Sequence, residues 1–572
     1  MTGVAWFQGV IKITLESKTE AFVLNESTLI VYFSTSVESV SSICTKMKMP
    51  SLFHIPGISS IDVQMPSTMV FCYIIATIVF AYLVSVVVYN RFFHPLAKFP
   101  GPFLGAITDW YLVYVICSVP TFGLELHKKY GPIIRLAPNM LSFSDATLLP
   151  RVYHRFADKP AFYGSWMFGE TASMFQSLKH EDHYVKKRLV ATCCSMNAMK
   201  TNHEGKISER IDELCLRIQE ISSDQSKPLD FSEYLRWFLT DVWAHLVYGE
   251  PRGCVAQGRD VNGLLSSLQG VYSMSAKAAV MPWLAPLLRH PLWRKYVWSW
   301  TKTFQHMDNL YSNFDDMVDR RKSDENLKAQ KLFFDDLNPE KNPYEYQYSR
   351  EDLKAEVITF TAATLDGVSA FISPFIDNLI THPAAYDRLV SEIQKADLTG
   401  QLSQPVVTYD ETTSLPFFMA CIKETLRRDA PAQTILPRLV SKPGYELFDG
   451  DIYVPPGTQM GASPYIIHRD EAIFGTEPDI WKPERWIQSE SGMDPKAHEA
   501  YIKRMEKYGM WWGYGDRECT GKYYAQMEMQ KLCVELLRRF EITSPKVKSR
   551  FTHARWAVGM FWNQQLIFSR RT

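Results

Sequence analysis

The stretch WGYGDRECTGKYYA, residues 512–525, carries the most informative pattern in the chain. It reduces to W-x-x-G-x-R-x-C-x-G-x-x-x-A, and the fixed positions are Trp512, Gly515, Arg517, Cys519, Gly521 and Ala525. A Cys placed just before a helix can be held as a thiolate, because free N–H groups and the helix dipole favour negative charge. A thiolate is also a soft ligand that suits iron. The pattern therefore predicts a metal cofactor on the sulfur of Cys519.

The residues around Cys519 each have a role if such a cofactor binds. Gly515 and Gly521 allow the backbone to approach the sulfur and the cofactor face closely. Arg517 can reach a carboxylate on the cofactor rim, and Trp512 can shield the sulfur from water. The alternative is a buried structural Cys beside a turn, but six residue types at fixed spacings make a chance match rare.

At these residues the chain resembles the cytochrome P-450, or haem-thiolate, family, in which Phe usually stands at the position of Trp512. The resemblance implies a haem b cofactor, Cys519 as axial iron ligand and the use of O2. Other stretches of the sequence, such as KYYAQMEMQK at 522–531, look most like the fungal pisatin demethylase-like group. That group implies secondary metabolism and a lipophilic substrate, often a terpenoid or an aromatic compound.

The balance of predicted elements is mainly α with a small β-sheet, an α+β fold class that agrees with a P-450-like fold. Helical patterns dominate after residue 103, and a helix rich in Met, Leu, Glu and Lys is expected over 520–540. Short strand patterns occur at four places, namely 133–136, 140–144, 445–448 and 451–454.

Composition excludes several classes of protein. The 572 residues are 46% apolar with a formal net charge of zero, so no overall charge favours a nucleic-acid partner. The ten Cys lack C-x-x-C and zinc-site spacings, which argues against a disulfide scaffold or zinc protein and for a reducing compartment. Because the chain has no flavin or nicotinamide motif, electrons would come from a separate NADPH-cytochrome reductase.

Residues 68–89 contain no charged residue and predict a transmembrane helix. Twenty-two helical residues span roughly 33 Å, enough to cross a bilayer, although a buried core helix is the alternative. Arg91, His94 and Lys98 follow the span, so the positive-inside rule places the C-terminal domain in the cytosol. We therefore expect a single-pass protein of the endoplasmic reticulum membrane.

The expected domain organisation has four parts: an N-terminal extension (1–65), a transmembrane anchor (66–90), a basic, proline-rich hinge (91–102) and a haem-thiolate catalytic domain (103–572). The extension has no signal-peptide shape, and Met65 directly precedes the span. We hypothesise that the natural chain starts at Met65. A peptide from residues 1–60 in the native protein would rule this out.

Two motifs away from Cys519 carry charged residues. A helix with proline in its first turn is expected over 416–428, and it places Glu424 and Arg427 on one face. The segment WKPERW at 481–486 contributes Arg485. These positions could form only an exposed ion pair, but the resemblance implies a buried three-way structural network beneath the haem.

The resemblance also implies residues for the haem propionates. Arg438 stands where the family places an Arg on a propionate. The family's W-x-x-x-R motif is replaced by His183 and Lys187, which can both still donate to a carboxylate, Lys less specifically than Arg. The alternative is that the helix with His183 and Lys187 only exposes a basic face to solvent. Lys186, Lys187 and Arg188 are further expected to help form a basic patch for an acidic reductase.

A long helix is expected from Ser349 to about residue 379, with a kink at Pro374. In the family this helix passes over the haem with the motif [AG]-G-x-[DE]-T-[TS]. Here Asp366 supplies the acid, but Thr364 replaces the usual Gly and Gly367 the usual Thr. We expect Asp366 and Thr364 to be the catalytic residues, as proton donor and substituted relay. The alternatives are a substrate hydroxyl as the relay and a helix salt bridge as the role of Asp366.

The function expected is a membrane-anchored haem-thiolate monooxygenase. Its pocket, by resemblance, is lined by 162–176, 357–369, 432–436 and 556–562. The departure at Gly367 keeps a second hypothesis open, a haem-thiolate isomerase or dehydratase that needs no O2. A third is a haem-binding membrane protein without turnover, which coupled NADPH use would exclude.

Overall fold

A computed structural model describes residues 67–117, 120–166, 171–222, 227–280, 302–337, 348–545, 552–555 and 559–571. The chain forms two compact units, residues 1–83 and 84–572. The predicted N-terminal extension, 1–65, lies outside the described residues, as do parts of two predicted pocket segments, 167–170 and 556–558.

Helices make up most of the structure, as the mainly α fold class predicted. Those before residue 281 are α1 (Ser67–Val88), α2 (Phe103–Ile107), α3 (Trp110–Cys117), α4 (Pro120–Tyr130), α5 (Leu149–Val152), α6 (His180–Cys193), α7 (Met196–Ala198), α8 (Glu204–Ile221), α9 (Phe231–Tyr248), α10 (Cys254–Gln257) and α11 (Leu264–Val280). Those after residue 301 are α12 (Lys302–Ser323), α13 (Glu325–Ala329), α14 (Arg350–Thr381), α15 (Pro383–Leu398), α16 (Tyr409–Thr413), α17 (Pro416–Arg428), α18 (Pro464–Ile467), α19 (Glu471–Phe474), α20 (Pro495–Tyr508) and α21 (Lys522–Arg539).

Helix α1 and the π-helical turn Tyr89–Phe93 follow the predicted transmembrane segment closely. Their apolar part, Val70–Phe93, is long enough to cross a bilayer, and none of it is buried. An exposed run of Val, Ile, Phe and Leu is unfavourable in water. The helix therefore fits a membrane anchor.

The strands form small sheets. They are β1 (Ile133–Ala137), β2 (Met140–Phe143), β3 (Leu229–Asp230), β4 (Arg438–Leu439), β5 (Tyr445–Leu447), β6 (Ile452–Val454), β7 (Gln459–Gly461), β8 (Phe540–Thr543), β9 (Thr552–Arg555), β10 (Gly559–Trp562) and β11 (Gln565–Arg570). The largest sheet has the order β1-β2-β7-β4, in which only β2 and β7 are parallel. Strands β3, β11 and β8 form a second sheet, and two hairpins pair β5 with β6 and β9 with β10.

The segment predicted as a hinge, 91–102, packs on strand β1. Leu96 and Phe99 are buried, and the N–H of Arg135 donates to the carbonyl of Pro100 (2.8 Å). A Cβ at Gly101 would lie 2.3 Å from the carbonyl oxygen of Arg135, so glycine is required there. The end of the segment is thus part of the folded domain.

Helix α14 is the central helix of the fold. A capping box starts it, since the Ser349 hydroxyl accepts from the N–H of Asp352 and the Asp352 carboxylate accepts from the N–H of Ser349. The helix continues through Pro374 to Thr381, two residues beyond the predicted end. It is apolar enough to span a membrane, but its apolar window is 78% buried. It is therefore a core helix, packed against α9, α17 and α21.

Candidate active site

Cys519 lies in a tight turn immediately before helix α21. Its N–H donates to the carbonyl of Trp512 (2.6 Å), and the N–H of Glu518 donates to the carbonyl of Gly515 (3.1 Å). Gly515 has a φ of +70°, and a Cβ there would lie 2.1 Å from the carbonyl oxygen of Tyr153. Only glycine fits, because both the backbone angle and the close approach exclude a side chain.

The exposure and the surroundings of Cys519 together indicate a cleft at its thiol. The residue is exposed, yet burial by surrounding protein raises the pKa of its thiol to about 11. A residue on the wall of a deep opening can have exposed surface and still be surrounded by protein. A hydrogen bond from the N–H of Gly521 lowers the pKa, but by less than burial raises it. Burial therefore opposes ionisation of the thiol, and a bound metal ion would favour its thiolate form.

Helix α14 passes close to this turn. A Cβ at Gly521 would lie 3.9 Å from the ring of Phe360. Ala363 is exposed and Gly367 half-buried, although most of the helix around them is buried. Residues three and four apart share a helix face, so Phe360, Ala363 and Gly367 lie on one face of α14, the face that approaches Gly521. A Cβ at Gly367 would meet nothing within 4 Å.

Asp366 and Thr364 are both buried on the same helix, 8% and 7% exposed. Burial raises the pKa of the Asp366 carboxyl to about 7, and the guanidinium of Arg236 opposes that rise. Arg236 itself donates to the carbonyl of Phe561 and lies over the ring of Trp562. An acid whose pKa lies near the working pH can both give and regain a proton.

The four residues predicted for the cofactor carboxylates lie in one region, namely Arg438, His183, Lys187 and Arg517. Arg438 donates to the Tyr163 hydroxyl (2.9 Å), but its buried Nε has no hydrogen-bond partner. His183 is buried, and burial followed by the charge of Arg517 lowers its pKa to about 2. His183 is therefore neutral, with at most one N–H to donate.

Arg517 and Lys187 already have protein partners. Arg517 donates to the carbonyls of Ser177 (2.6 Å) and Leu178 (3.1 Å), and burial lowers its pKa to about 10. Lys187 donates to the carbonyl of Asp516, and its Nζ lies 3.7 Å from the Asp516 carboxylate. The Arg517 contacts fix the loop, and Lys187 is partly neutralised before any ligand binds.

The expectation that Lys186 contributes to an exposed basic patch is wrong. Its side chain is buried, donates to the carbonyl of Ala172 and lies 3.5 Å from the Asp352 carboxylate. A lysine committed to an internal ion pair cannot contact a partner protein. Lys187 is only half-buried.

Glu424, Arg427 and Arg485 form a buried ionic cluster. Arg427 contacts both carboxylate oxygens of Glu424 (2.8 and 2.9 Å), and Arg485 Nε donates to Glu424 Oε1 (3.0 Å). Glu424 also accepts from the indole N–H of Trp486 (2.9 Å) and the backbone N–H of Lys482 (3.0 Å). The carboxylate is thus saturated with donors, which offsets the cost of its burial.

His468, which sequence reasoning did not single out, connects this cluster to the turn that holds Cys519. Its Nδ1 lies 2.9 Å from the carbonyl of Arg427, and its Nε2 accepts from the N–H of Met510 (2.9 Å). These contacts fix the neutral tautomer, with the proton on Nδ1. Its ring also packs 4.8 Å from that of Trp511. The sequence around it, IIHRDEAIFG at 466–475, contains no feature that marks this role.

Comparison with known proteins identifies the family. The model of the cytochrome P450 family matches residues 120–567. The chain belongs to the cytochrome P450 family. Quiannulatic acid synthase of Emericella variicolor is 31% identical over 476 residues, covering 78% of this chain and 88% of that protein. Cytochrome P450 monooxygenase gsfF of Penicillium aethiopicum is 28% identical, covering 84% and 93%. This P450 is thus an oxidoreductase and a haem monooxygenase, similar to fungal enzymes of secondary metabolism.

The residues on the cleft fit the haem that the family binds through a cysteine thiolate. Haem is a flat apolar ring with two carboxylates and an iron. The described residues supply a matching group for each part: the exposed Cys519, the face of α14 at Ala363 and Gly367, and the cations around His183. The unpartnered Nε of Arg438 is a donor that a carboxylate would satisfy.

Proposed function

We propose that Cys519 would ligate the iron of haem b, and that Arg438, His183, Lys187 and Arg517 would hold the haem carboxylates. The exposure of Cys519, beside a face of α14 that is itself open at Ala363 and Gly367, is the observation that supports this proposal. Bound haem supplies the activation of O2, and the thiolate favours cleavage of the O–O bond. Trp512 is half-buried and limits the access of water to the sulfur.

The protein's own contribution to the reaction is to bind the substrate and to deliver protons. Asp366 holds a proton near pH 7 and lies on the helix that lines the cleft. Thr364 takes the relay role that a threonine at 367 has in the family, since it lies one turn earlier on the same helix. Gly367 leaves room beside them for a substrate group or an ordered water.

The substrate we propose is a lipophilic secondary metabolite, a terpenoid or an aromatic compound. Support comes from the fungal relatives, one of which is named for the synthesis of quiannulatic acid. Electrons are supplied by an NADPH-dependent reductase. Residues 66–90 anchor the enzyme in the endoplasmic reticulum membrane, 91–102 link the anchor to the catalytic domain at 103–572, and that domain faces the cytosol.

Spectroscopy and coupled turnover test the proposal together. The reduced carbon-monoxide complex of the full chain should show the red-shifted band of thiolate ligation, and Cys519→Ala should lose it. A mutant that keeps the band contradicts the ligand assignment. With a fungal reductase, product formation should require both NADPH and O2. Product formed at full rate without them would instead establish the isomerase or dehydratase alternative.

A further inference from the structure

Residues 172–178 form a short strap between helix α14 and the turn that holds Cys519. Toward α14, the N–H of Met174 donates to Glu356 Oε1 (2.6 Å). Toward the turn, the Thr520 hydroxyl donates to the sulfur of the same methionine (3.7 Å). The strap therefore contacts both the central helix and the residue next to Cys519 through one side chain and its backbone.

Two further links fasten the strap to α14. Gln176 Nε2 donates to the Thr359 hydroxyl (3.1 Å). Lys186 donates to the carbonyl of Ala172, and its Nζ also lies 3.5 Å from the Asp352 carboxylate. Asp352 and Thr359 both belong to α14. The strap is thus held to this helix at several points along about two turns.

The strap covers one end of the open face of α14. Glu356 precedes Phe360 by four residues and Ala363 by seven, so it lies on the same face of the helix. Ala363 is exposed and Gly367 is half-buried, whereas Glu356 is 0% exposed. The open surface of this face therefore ends where the strap packs on Glu356.

Only one carboxyl oxygen of Glu356 has hydrogen-bond partners in the described part of the chain. Oε1 accepts from the N–H of Met174 and from the Tyr348 hydroxyl (3.1 Å), whereas Oε2 accepts from none. Burial raises the pKa of the carboxyl to about 7, although the Met174 N–H and the charge of Lys186 lower it. An apolar side chain would avoid the burial of this acid, but it would leave the N–H of Met174 unpaired. The bond to the strap is therefore what the acid provides at this position.

We propose that Glu356 is a positioning residue that fixes the strap as an end wall of the substrate pocket. A wall that is already held in place needs no ordering when a ligand binds, so ligands that reach it bind more tightly. Ligands too short to reach it are unaffected. The inference rests on the haem site proposed above, because it takes the open face of α14 as the substrate side.

The test uses ligands of graded length that bind at the iron. N-alkylimidazoles, from methyl to dodecyl, are titrated into the haem-loaded full chain, and their affinities are read from the shift of the haem absorption band. Glu356→Leu keeps the size of the side chain but removes the acceptor. It should bind methylimidazole like wild type and the long-chain members about tenfold more weakly, because the strap is released. Glu356→Gln retains an oxygen for both donors and should follow wild type at every length.

Glu392→Leu is the matched control. Glu392 also accepts backbone N–H groups, those of Phe417 and Phe418 (both 2.9 Å), but at the start of helix α17. This variant should lower the unfolding temperature without any length-dependent change in affinity. Thr359→Val removes the second bond to the strap and should give a smaller loss that again grows with chain length.

The outcomes separate a wall of the pocket from other roles. Equal affinities of wild type and Glu356→Leu at every chain length overturn the inference. So does a loss that already appears with methylimidazole, because the effect is then on the iron or the haem. If Glu356→Leu does not hold haem, Thr359→Val decides, and affinities equal to wild type in that variant overturn the inference. Failure of wild type to bind haem through a thiolate would instead contradict the proposed function.

Discussion

Gly367 is the residue at which this chain departs most from its family. Its Cβ position is open and the helix continues unbroken, so Gly367→Thr can be accommodated and removes the helix cost of glycine, about 0.5 kcal/mol. We expect Gly367→Thr to keep the fold and to maintain or raise the yield of product per NADPH. A product yield that falls severalfold with normal haem content would show that the open space holds the substrate itself.

A substitution at Thr364 tests which hydroxyl group relays protons in the active site. If its side chain replaces the missing threonine, Thr364→Ala should lower product per NADPH severalfold and raise peroxide release. Thr361, one turn earlier, is a suitable control because its hydroxyl already donates to the carbonyl of Val357 (2.7 Å) and accepts from the indole N–H of Trp243 (2.7 Å). Unchanged coupling in Thr364→Ala would assign the relay to a substrate hydroxyl or to water.

Asp366 links function to stability through its raised pKa. Between about pH 4 and pH 7 the folded protein keeps the proton that the unfolded chain has lost, so stability falls as the pH rises through this window and then levels off. Asp366→Asn removes that titration. We expect the variant to be more stable than wild type at pH 8, by up to about 4 kcal/mol, with no gain at pH 4.

The measurement for Asp366 is the free energy of unfolding at several pH values, together with coupled turnover. Asp366→Asn should lower turnover while it stabilises the protein above pH 7, as expected where a buried acid is kept for function. If Asp366→Asn has the same free energy of unfolding as wild type at every pH, the charge of Arg236 fully compensates the burial of the Asp366 carboxylate. Unchanged turnover in Asp366→Asn would show that Asp366 does not deliver protons in the reaction.

At the scale of elements, the ionic cluster on helix α17 is the clearest structural unit. Glu424 is fully buried, so Glu424→Ala leaves Arg427 and Arg485 without their carboxylate and should cost about 3–5 kcal/mol. The measurement is haem-loaded protein per total protein and the unfolding midpoint. The exposed pair of Arg388 and Glu490 is the control, and Glu490→Gln should cost less than about 1 kcal/mol. A Glu424 variant with normal haem content but no turnover would contradict a structural role.

Local patterns predicted the elements whose structure is decided locally. Helix α17 matches its predicted bounds, and strands β1, β2, β5 and β6 lie within a residue of theirs. The C-terminal strands β8 to β11 were not predicted, because a strand such as β11 is stabilised by pairing with β3, more than 300 residues away in sequence.

The same limit applies to the site. Cys519 and the residues around it were recognisable because their spacing is fixed within one turn. His468 was not, because its role depends on neighbours from distant segments, namely Arg427 and Met510. Lys186 is buried, and side-chain burial is likewise a tertiary property. A run of basic residues in the sequence does not reveal it.

For the whole molecule, the proposed topology places the catalytic domain in the cytosol. Protease added to intact microsomes should digest residues 103–572, because the basic residues that follow the span favour the cytosolic side. Microsomes opened with detergent provide the control for protease access. Complete protection in intact microsomes would reverse the topology.

The anchor also predicts how the protein is extracted from membranes. Full-length chain should remain in the pellet after alkaline carbonate, because only a spanning segment resists that treatment. A chain lacking residues 1–93 should still sediment with membranes at neutral pH, since Phe103, Leu104 and Trp110 are more than half exposed and can enter the interface. Carbonate should release this shorter chain. If carbonate also releases the full-length protein, 66–90 does not span the bilayer. If the shorter chain is free of membranes at neutral pH, the exposed apolar residues of α2 and α3 do not bind lipid.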